Sequence, residues 1–153
     1  MVILIMGAGP ADPYAEEQHY PVWLTEVDRR LLVEWIVDNC MALAPARLVF
    51  AVRENDVRKH HIDKVMTMLA PEARIVRISR ETAGATCTAL LAIEHIDPNQ
   101  ELLILNANEV LNVDYAKIIE AFRKAELDGG VATFTSVHPR YSYVRLDAEG
   151  MVV

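Results

Sequence analysis

The chain has 153 residues, of which 52% are hydrophobic, and a formal net charge of −7 at pH 7. This length suits one domain with a sizeable core and is short for two, and the mean hydropathy of +0.14, with no Gly/Ser-rich or Gln-rich tract, excludes a disordered or low-complexity chain. The negative charge disfavours a nucleic-acid partner, because such binding depends on neutralising phosphates, but it leaves open a nucleotide held by local groups. We expect a single domain over residues 1–153, whole or the N-terminal part of a longer one.

Residues 2–6 form a short apolar run that predicts a buried first strand, which turns into a flexible loop at Gly7-Ala8-Gly9. The run is far shorter than a signal-peptide core or a membrane span, so we expect a cytoplasmic protein without a membrane partner. Three prolines prevent a regular helix over residues 10–24 and predict a long loop, which in a compact domain is often functional. Trp23 and Trp35 are expected to be core or loop anchors.

Strands and helices alternate along the rest of the chain. The further predicted strands cover residues 47–52, 74–78, 101–105 and 131–136. The predicted helices run from about residue 31 to 41, from Asp56 to Pro71, from Gly84 onward, and from Asp114 to Gly129-Gly130. A hairpin with arms at 143–146 and 151–153 comes last, and either another subunit completes its C-terminal strand in a homo- or hetero-oligomer or further chain does so.

The composition of each element predicts its surroundings. Asp28, Asp56 and Asp114 are placed to cap the helices that follow them. The strand at 74–78 mixes charged and aliphatic residues and is expected near a sheet edge, whereas the apolar strand at 101–105 is expected to be central and parallel. In the second helix, one face at the spacing i, i+3, i+4, i+7 is apolar and consists of Ile62, Val65, Met66 and Leu69.

Three further expectations concern cysteine and histidine. The helix after Gly84 is expected to carry Cys87 inward, together with Leu90 and Leu91. Cys40 and Cys87 lie in apolar surroundings without metal-ligand spacing, which predicts reduced core thiols rather than a disulfide. The pair His60-His61 is expected on a solvated face, because adjacent residues of a helix do not face one another.

This alternation predicts a Rossmann-like, three-layer α/β/α fold with a mostly parallel sheet. Such sheets hold their ligand beyond the carboxyl ends of the strands, and the strand at 101–105 ends in Asn106-Ala107-Asn108-Glu109. Gly7-x-Gly9 suggests a dinucleotide-binding motif, but Asp12 stands in place of the third glycine and the second strand ends too late for that motif. The alternative is that the two glycines only shape a turn.

An ordered set of motifs resembles the sugar-phosphate nucleotidyltransferase family, most closely members from capsule and surface-polysaccharide synthesis. The motifs are Gly7-x-Gly9, Tyr20-Pro21-x-x-Leu24-x-Glu26-Val27-Asp28, Thr82-Ala83-Gly84-Ala85, Leu103-x-x-Asn106-x-Asn108, Asp128-Gly129-Gly130 and His138-Pro139-Arg140-Tyr141-Ser142-Tyr143. The resemblance spans the whole chain and implies a nucleotidyltransferase (GT-A-like) fold. It also implies formation of a nucleotide sugar and pyrophosphate from a nucleoside triphosphate and a sugar 1-phosphate, with Mg²⁺.

The chain departs from the family at three charged positions. The resemblance implies an Arg, a Lys and a metal-binding Asp where this sequence has Ala11, Val22 and Asn108. Each loss of a strong electrostatic contact typically costs ~10² to 10³ in rate, so we expect a catalytically impaired domain, a pseudoenzyme. Mg²⁺ binding is correspondingly doubtful.

Neighbouring residues offer replacements for the lost charges. Glu109 could supply a metal-binding carboxylate, and Arg29, Arg30 or Arg53 could reach phosphates, although a carboxylate displaced by one residue usually points elsewhere. The interpretation of these side chains as solvated loop residues is favoured.

The resemblance leaves the nucleotide-gripping residues in place. They are Ala8, Gly9, Gly84, Ala85 and Asn106, and Arg140 is the candidate for the sugar phosphate. Gly84 would let a flat ring approach closely, or it would only pack a helix on the sheet. We expect an impaired domain that binds a nucleotide or a partner in nucleotide-sugar or polysaccharide metabolism; the alternatives are an active nucleotidyltransferase and a ligand-free scaffold subunit.

Overall fold

The computed structural model describes residues 1–9, 20–109, 111–139 and 141–153. Most of the predicted loop at 10–24, including Ala11, and also Arg140 therefore lie outside the described residues. The chain divides into two compact units, Met1–Val113 and Asp114–Val153. None of the helices in the described ranges has the length and apolar character needed to cross a membrane.

The first unit alternates strands and helices, as predicted. Its strands are β1 (Val2–Gly7), β2 (Glu26–Val27), β3 (Arg30–Leu31), β4 (Arg47–Arg53), β5 (Arg74–Ile78) and β6 (Leu102–Asn106). Its helices are α1 (Leu32–Met41), α2 (Glu54–His60), α3 (Ile62–Leu69) and α4 (Ala85–Leu90), with short 3-10 helices at Val22–Leu24 and Ile93–His95. The second unit contains α5 (Tyr115–Lys124).

Four strands form one parallel sheet in the order β5, β4, β1, β6. The edge position predicted for β5 is confirmed. The central position predicted for the strand at 101–105 is wrong, because among the described residues β6 pairs with β1 alone. Its apolar character does not mean full burial, since the side chains of Leu102 and Ile104 remain 41% and 47% exposed.

The sheet has an apolar cluster on each face, because successive residues of a strand point to opposite sides. One cluster joins the strands to α1 and α3 and includes Ile3, Ile5, Phe50, Val33, Ile36, Ile62 and Met66. The other includes Val2, Leu4, Val49, Ala51, Ile78, Ala89 and Ala92, the last two from the α4 region. The helices therefore cover both faces, as the predicted α/β architecture requires.

The start of α1 differs from the prediction. Asp28 does not cap this helix but lies in the turn between β2 and β3, where its φ is 51° and that of Arg29 is 66°. Aspartate is among the residues that tolerate this left-handed conformation. The helix instead begins after Leu31, without a side-chain cap. The Nε1–H of Trp35 donates to the carbonyl of Val27 at 3.1 Å, so Trp35 anchors the hairpin as predicted.

The second predicted helix is two helices. His61 adopts a left-handed φ of 52° and donates its backbone N–H to the carbonyl of Val57, which ends α2 before α3 begins. Asp56 lies within the first turn of α2 and does not cap it. The apolar face of α3 is confirmed, because Ile62 and Met66 are fully buried.

The predicted orientation of α4 is wrong. Leu90 and Leu91 are 57% and 53% exposed, and Cys87 is exposed as well. Thr88 and Ala92 are buried in their place. The helix is only six residues long, so its short apolar stretch at Leu90 and Leu91 does not determine which side of the helix packs on the sheet. Both thiols are free, as predicted, and Cys40 is buried. The predicted burial of Cys87 is wrong, because this residue is exposed.

The second unit agrees with the prediction in part. Asp114 caps α5 as predicted: its carboxylate accepts the backbone N–H of Lys117 at 3.2 Å, which lowers the pKa of Asp114. The helix ends at Lys124, before Gly129-Gly130. Residues 131–136 form no strand within the described part of the chain. The last hairpin is present as a short antiparallel bridge between Leu146 and Val152.

Candidate functional site

The carboxyl ends of the parallel strands meet at one edge of the sheet. In the register, Gly7 pairs with Val52, Met6 with Asn106, and Arg53 with Ile78. The loop at Ala8 and Gly9 therefore starts beside the ends of β4 and β6. This is the edge at which open α/β sheets bind ligands.

The polar end of β6 lies at this edge. Ala107 is 1% exposed and donates its backbone N–H to the carbonyl of Met6 at 3.0 Å, so the pairing with β1 extends one residue past the strand. Asn106 and Asn108, on either side of it, are exposed, and Glu109 is half-buried. The structure thus brings Asn106 and Asn108 next to the end of β1.

The described residues at this end do not fit a Mg²⁺ site. Mg²⁺ prefers carboxylate oxygens in octahedral geometry, and here Glu109 follows two neutral amides. Across the part of the chain that the structure describes, no group of three or more His, Cys, Asp or Glu side chains is placed to hold a metal ion.

Val22 is held at the same edge through its neighbour Trp23. The indole of Trp23 is 1% exposed, and its ring centroid lies 6.1 Å from that of Phe50. A Cβ atom built on Gly7 would lie 1.4 Å from the Cζ2 atom of this indole, so the ring occupies the space above the end of β1. Val22 precedes Trp23 in the 3-10 helix and has an aliphatic side chain that is 38% exposed.

The turn before α4 is held by two threonine hydroxyl groups. The Oγ1 atoms of Thr82 and Thr88 are 2.6 Å apart, and they lie 3.1 and 3.2 Å from the carbonyl oxygen of Gly84. Thr88 is only 5% exposed. The two hydroxyl groups have two protons for these three contacts, so both protons are used within this network. Thr88 was missed in the sequence, although a Thr four residues after a helix-capping residue is positioned to bond back to it.

Gly84 is required for its backbone conformation. It caps α4 with φ 136° and ψ −178°, values that side chains rarely permit. A Cβ atom on Gly84 would meet nothing within 4 Å, which is against the alternative that it only packs the helix on the sheet. Gly84 and the following Ala85 are exposed.

Ala8 and α4 lie on the same face of the sheet. Ala8 packs in the apolar cluster that also contains Met6 and Ala89 of α4. The structure therefore brings Ala8 and the α4 region together, as the predicted nucleotide site requires.

The three candidate replacement arginines have different surroundings. Arg30 is occupied: its guanidinium is 3.3 Å from Glu34 and 2.5 Å from Asp38 and lies 4.5 Å from the Trp35 ring centroid. The hydrogen bond that Arg30 donates to the carboxylate of Asp38 is the main cause that raises the pKa of Arg30. Arg29 stands at the tip of the β2–β3 turn, and Arg53 ends β4. The charge of Arg30 is therefore already paired with two carboxylates.

Solved structures of nucleotidyltransferases share this fold. HddC from Yersinia pseudotuberculosis aligns with a TM-score of 0.73 at 15% identity, over 99% of this chain and 66% of that one. HddC complexed with GMP-PN gives 0.71 at 16% identity, over 99% and 67%. The nucleoside-diphosphate-sugar pyrophosphorylase from Vibrio cholerae RC9 gives 0.57 at 20% identity, over 77% of this chain and 53% of that one.

A third protein, 4-diphosphocytidyl-2C-methyl-D-erythritolsynthase from Anaerococcus prevotii, gives a TM-score of 0.59 at 17% identity, over 99% of this chain and 61% of that one. At these identities the likeness establishes a nucleotidyltransferase-like, Rossmann-like α/β fold and confirms the predicted fold class. This chain spans between 53% and 67% of the length of these proteins. No family model and no curated protein matches the sequence.

Proposed function

We propose that this chain is a nucleotidyltransferase-fold domain that binds a nucleotide or nucleotide sugar and has lost most of its catalytic capacity. The observation that carries the proposal is the character of the carboxyl edge. Backbone suited to a nucleotide is present at Ala8 and Gly84, whereas Val22 and Asn108 bring no charge to the same edge.

Support for nucleotide binding comes from the geometry and from the neighbours. Ala8 and the α4 region lie on one face of the sheet, and the glycines Gly9 and Gly84 are exposed, which permits close approach of a base and ribose. Two of the proteins with this fold are a nucleoside-diphosphate-sugar pyrophosphorylase and a protein complexed with GMP-PN. Ala85 and Asn106 complete the proposed base and ribose side, and Arg140 remains the proposed contact of the sugar phosphate.

The argument for impairment is electrostatic. Transfer of a nucleotidyl group builds negative charge on the departing pyrophosphate, and catalysis consists largely of stabilising that charge with cations. Val22 is aliphatic and Asn108 is neutral at the positions where the resembled family has a Lys and an Asp. With Ala11 as the third neutral position, turnover should fall by several powers of ten.

Binding and turnover are tested separately. A nucleotide at 100 times its dissociation constant should stabilise the chain by ~2.7 kcal/mol in thermal unfolding. We expect a shift with at least one ribonucleoside triphosphate and turnover far below ~1 per second with sugar 1-phosphates and Mg²⁺, measured as released pyrophosphate. An ordinary turnover rate would favour the active enzyme. The absence of any thermal shift at millimolar nucleotide would favour the scaffold subunit.

A back-substitution tests the role of the three positions directly. The variant Ala11→Arg, Val22→Lys, Asn108→Asp should release pyrophosphate faster than the wild type if these positions face the phosphates. A matched control, Ala42→Arg, adds a cation after the end of α1. It should leave the rate unchanged, and equal activation by the control would contradict the assignment.

A further inference from the structure

Arg53 stands beside the proposed nucleotide site. It is the last residue of β4, and because Val52 pairs with Gly7, it lies next to Ala8 at the end of β1. Its side chain is half-buried. It therefore brings a cation to the edge at which Asn108 supplies none.

The register also fixes the face of the sheet on which Arg53 lies. Ile78, its partner in β5, belongs to the apolar cluster on the α4 side, as does Ala51 two residues earlier in β4. Residues two apart in a strand share a face. Arg53 is therefore on the side of the sheet that carries Ala8 and the Gly84 turn.

The positive charge of Arg53 is not neutralised by its described neighbours. Arg30, Arg58 and Arg77 each form an ion pair with a carboxylate. Within residues 1–9, 20–109, 111–139 and 141–153, no partner forms a hydrogen bond or an ion pair with the side chain of Arg53.

Asp56 is the carboxylate that interacts with Arg53 at longer range. Its pKa is raised chiefly by burial, and the attraction of Arg53 only partly opposes this. A guanidinium without a close counter-charge is available to an anion, and phosphate oxygens match its fork of donors.

We propose that Arg53 binds a phosphate group of the nucleotide in this site and supplies the cation that Val22 does not. The inference rests on the proposed function, because it names the residue that receives the phosphates of the bound nucleotide. A nucleotide whose base side meets the Gly84 turn and the Gly7-Ala8-Gly9 loop would then extend its phosphates toward the end of β4.

The test compares ligands with and without phosphates by calorimetry. The four ribonucleoside triphosphates are titrated first, and the tightest is compared with its parent nucleoside and with inorganic tripolyphosphate. Arg53→Gln should weaken the triphosphate about 10- to 100-fold, the range of a charge-assisted hydrogen bond, and leave the nucleoside within about twofold. Arg53→Lys should recover part of the loss, because it keeps the charge but not the fork.

Arg74→Gln is the matched control. Arg74 lies on the same face of the neighbouring strand, at its amino end, and is exposed. The Arg74→Gln variant should bind the triphosphate, the nucleoside and tripolyphosphate with the affinities of the wild type. Unchanged triphosphate affinity in Arg53→Gln would overturn the proposal, and so would an equal loss of nucleoside and triphosphate, which would indicate a purely structural role.

Two further outcomes are possible. If the wild type binds neither nucleoside nor triphosphate, the proposed function fails. Binding of tripolyphosphate that Arg53→Gln abolishes would still support a phosphate-binding role of Arg53, whereas a wild type that does not bind tripolyphosphate would overturn that role as well. If Arg53→Gln does not fold, phenylglyoxal labelling of the wild type replaces it. Protection of Arg53, but not of Arg74, by the triphosphate or by tripolyphosphate supports the proposal, and equal labelling with and without them overturns it.

Discussion

The indole ring of Trp23 lies where a side chain on Gly7 would have to stand. Any Cβ atom at Gly7 would be 1.4 Å from the Cζ2 atom and 2.2 Å from the Cε2 atom of the ring. Trp23 is part of the buried core, so the ring cannot swing into solvent without opening that core. The contact joins the end of β1 to the 3-10 helix that carries Val22, on the face of the sheet that α1 and α3 cover.

Gly7→Ala should destabilise the protein strongly. Overpacking in a well-packed core typically costs 1–3 kcal/mol, and a methyl group inside the volume of a ring should reach ~3 kcal/mol or more. Gly9→Ala is the control, because a Cβ atom there meets nothing within 4 Å, and it should change stability by less than ~0.5 kcal/mol. Urea unfolding measures both. Equal stability of the two variants would contradict the Trp23 contact.

Strands β1, β4 and β5 could be predicted from the sequence because their signal is local, whereas the strand predicted at 131–136 is not formed. The apolar runs at β1 and β4 and the mixed pattern of β5 specify both the strand and its environment. The failures arose where tertiary context decides. His61 interrupts an otherwise continuous helical pattern, and Leu90 follows an apolar run whose covered side depends on how α4 meets the sheet.

The site shows the same division. The end of β6 at Asn106 could be located from its polar residues alone. The position of the Trp23 indole at the end of β1 could not, because it depends on a contact with Gly7 across a loop. Residue spacing also does not reveal which arginine is free to bind an anion. Arg30 is paired with Glu34 and Asp38, and these contacts become visible only when the β2–β3 hairpin packs on α1.

The two thiols should differ sharply in reactivity. Burial raises the pKa of Cys40 to about 12, so its thiolate is scarce at pH 8, whereas Cys87 is exposed. Ellman's reagent should therefore label one thiol quickly in the native protein and both after unfolding. Cys87→Ser should abolish the fast reaction. A fast reaction that persists in this variant would contradict the burial of Cys40.

Asp56→Asn should stabilise the protein at neutral pH. Burial raises the pKa of Asp56 in the folded protein above its ordinary value of 3.8. The folded state therefore favours the protonated carboxyl group, and the protein is most stable below the ordinary pKa and loses stability as the pH rises through the folded-state pKa. Removing the charge should therefore help at pH 7 and make little difference in acid. The free energy of unfolding in urea, measured from pH 7 downward, reports the difference.

Asp97→Asn is the control of opposite sign. The backbone N–H of Asn99 is the main cause that lowers the pKa of Asp97. Its contribution is present above the ordinary pKa and is lost as the pH falls, so this variant should be less stable than the wild type at pH 7 and approach it in acid. The same sign for both variants at pH 7 would contradict the assignment of Asp56.

Thr88→Val should loosen the turn that precedes α4. The change keeps the shape of the side chain but removes the hydroxyl group that contacts Thr82 and the carbonyl oxygen of Gly84. Thr88 is buried, so the hydroxyl group of Thr82 loses a partner that water does not readily replace. We expect a loss of ~1 to 2 kcal/mol in urea unfolding. Thr88→Ser keeps the hydroxyl group and should lose less.

A double-mutant cycle with Thr82→Val tests whether the two hydroxyl groups act as a unit. Each single variant breaks the contact at 2.6 Å, so the second change should cost less in the presence of the first, with a coupling energy of ~0.5 kcal/mol or more. Additive losses would mean that each threonine contributes alone. Hydrogen exchange at the backbone N–H of Thr88, which donates to the carbonyl of Gly84, should accelerate in both single variants, because that carbonyl is the acceptor the hydroxyl groups hold in place.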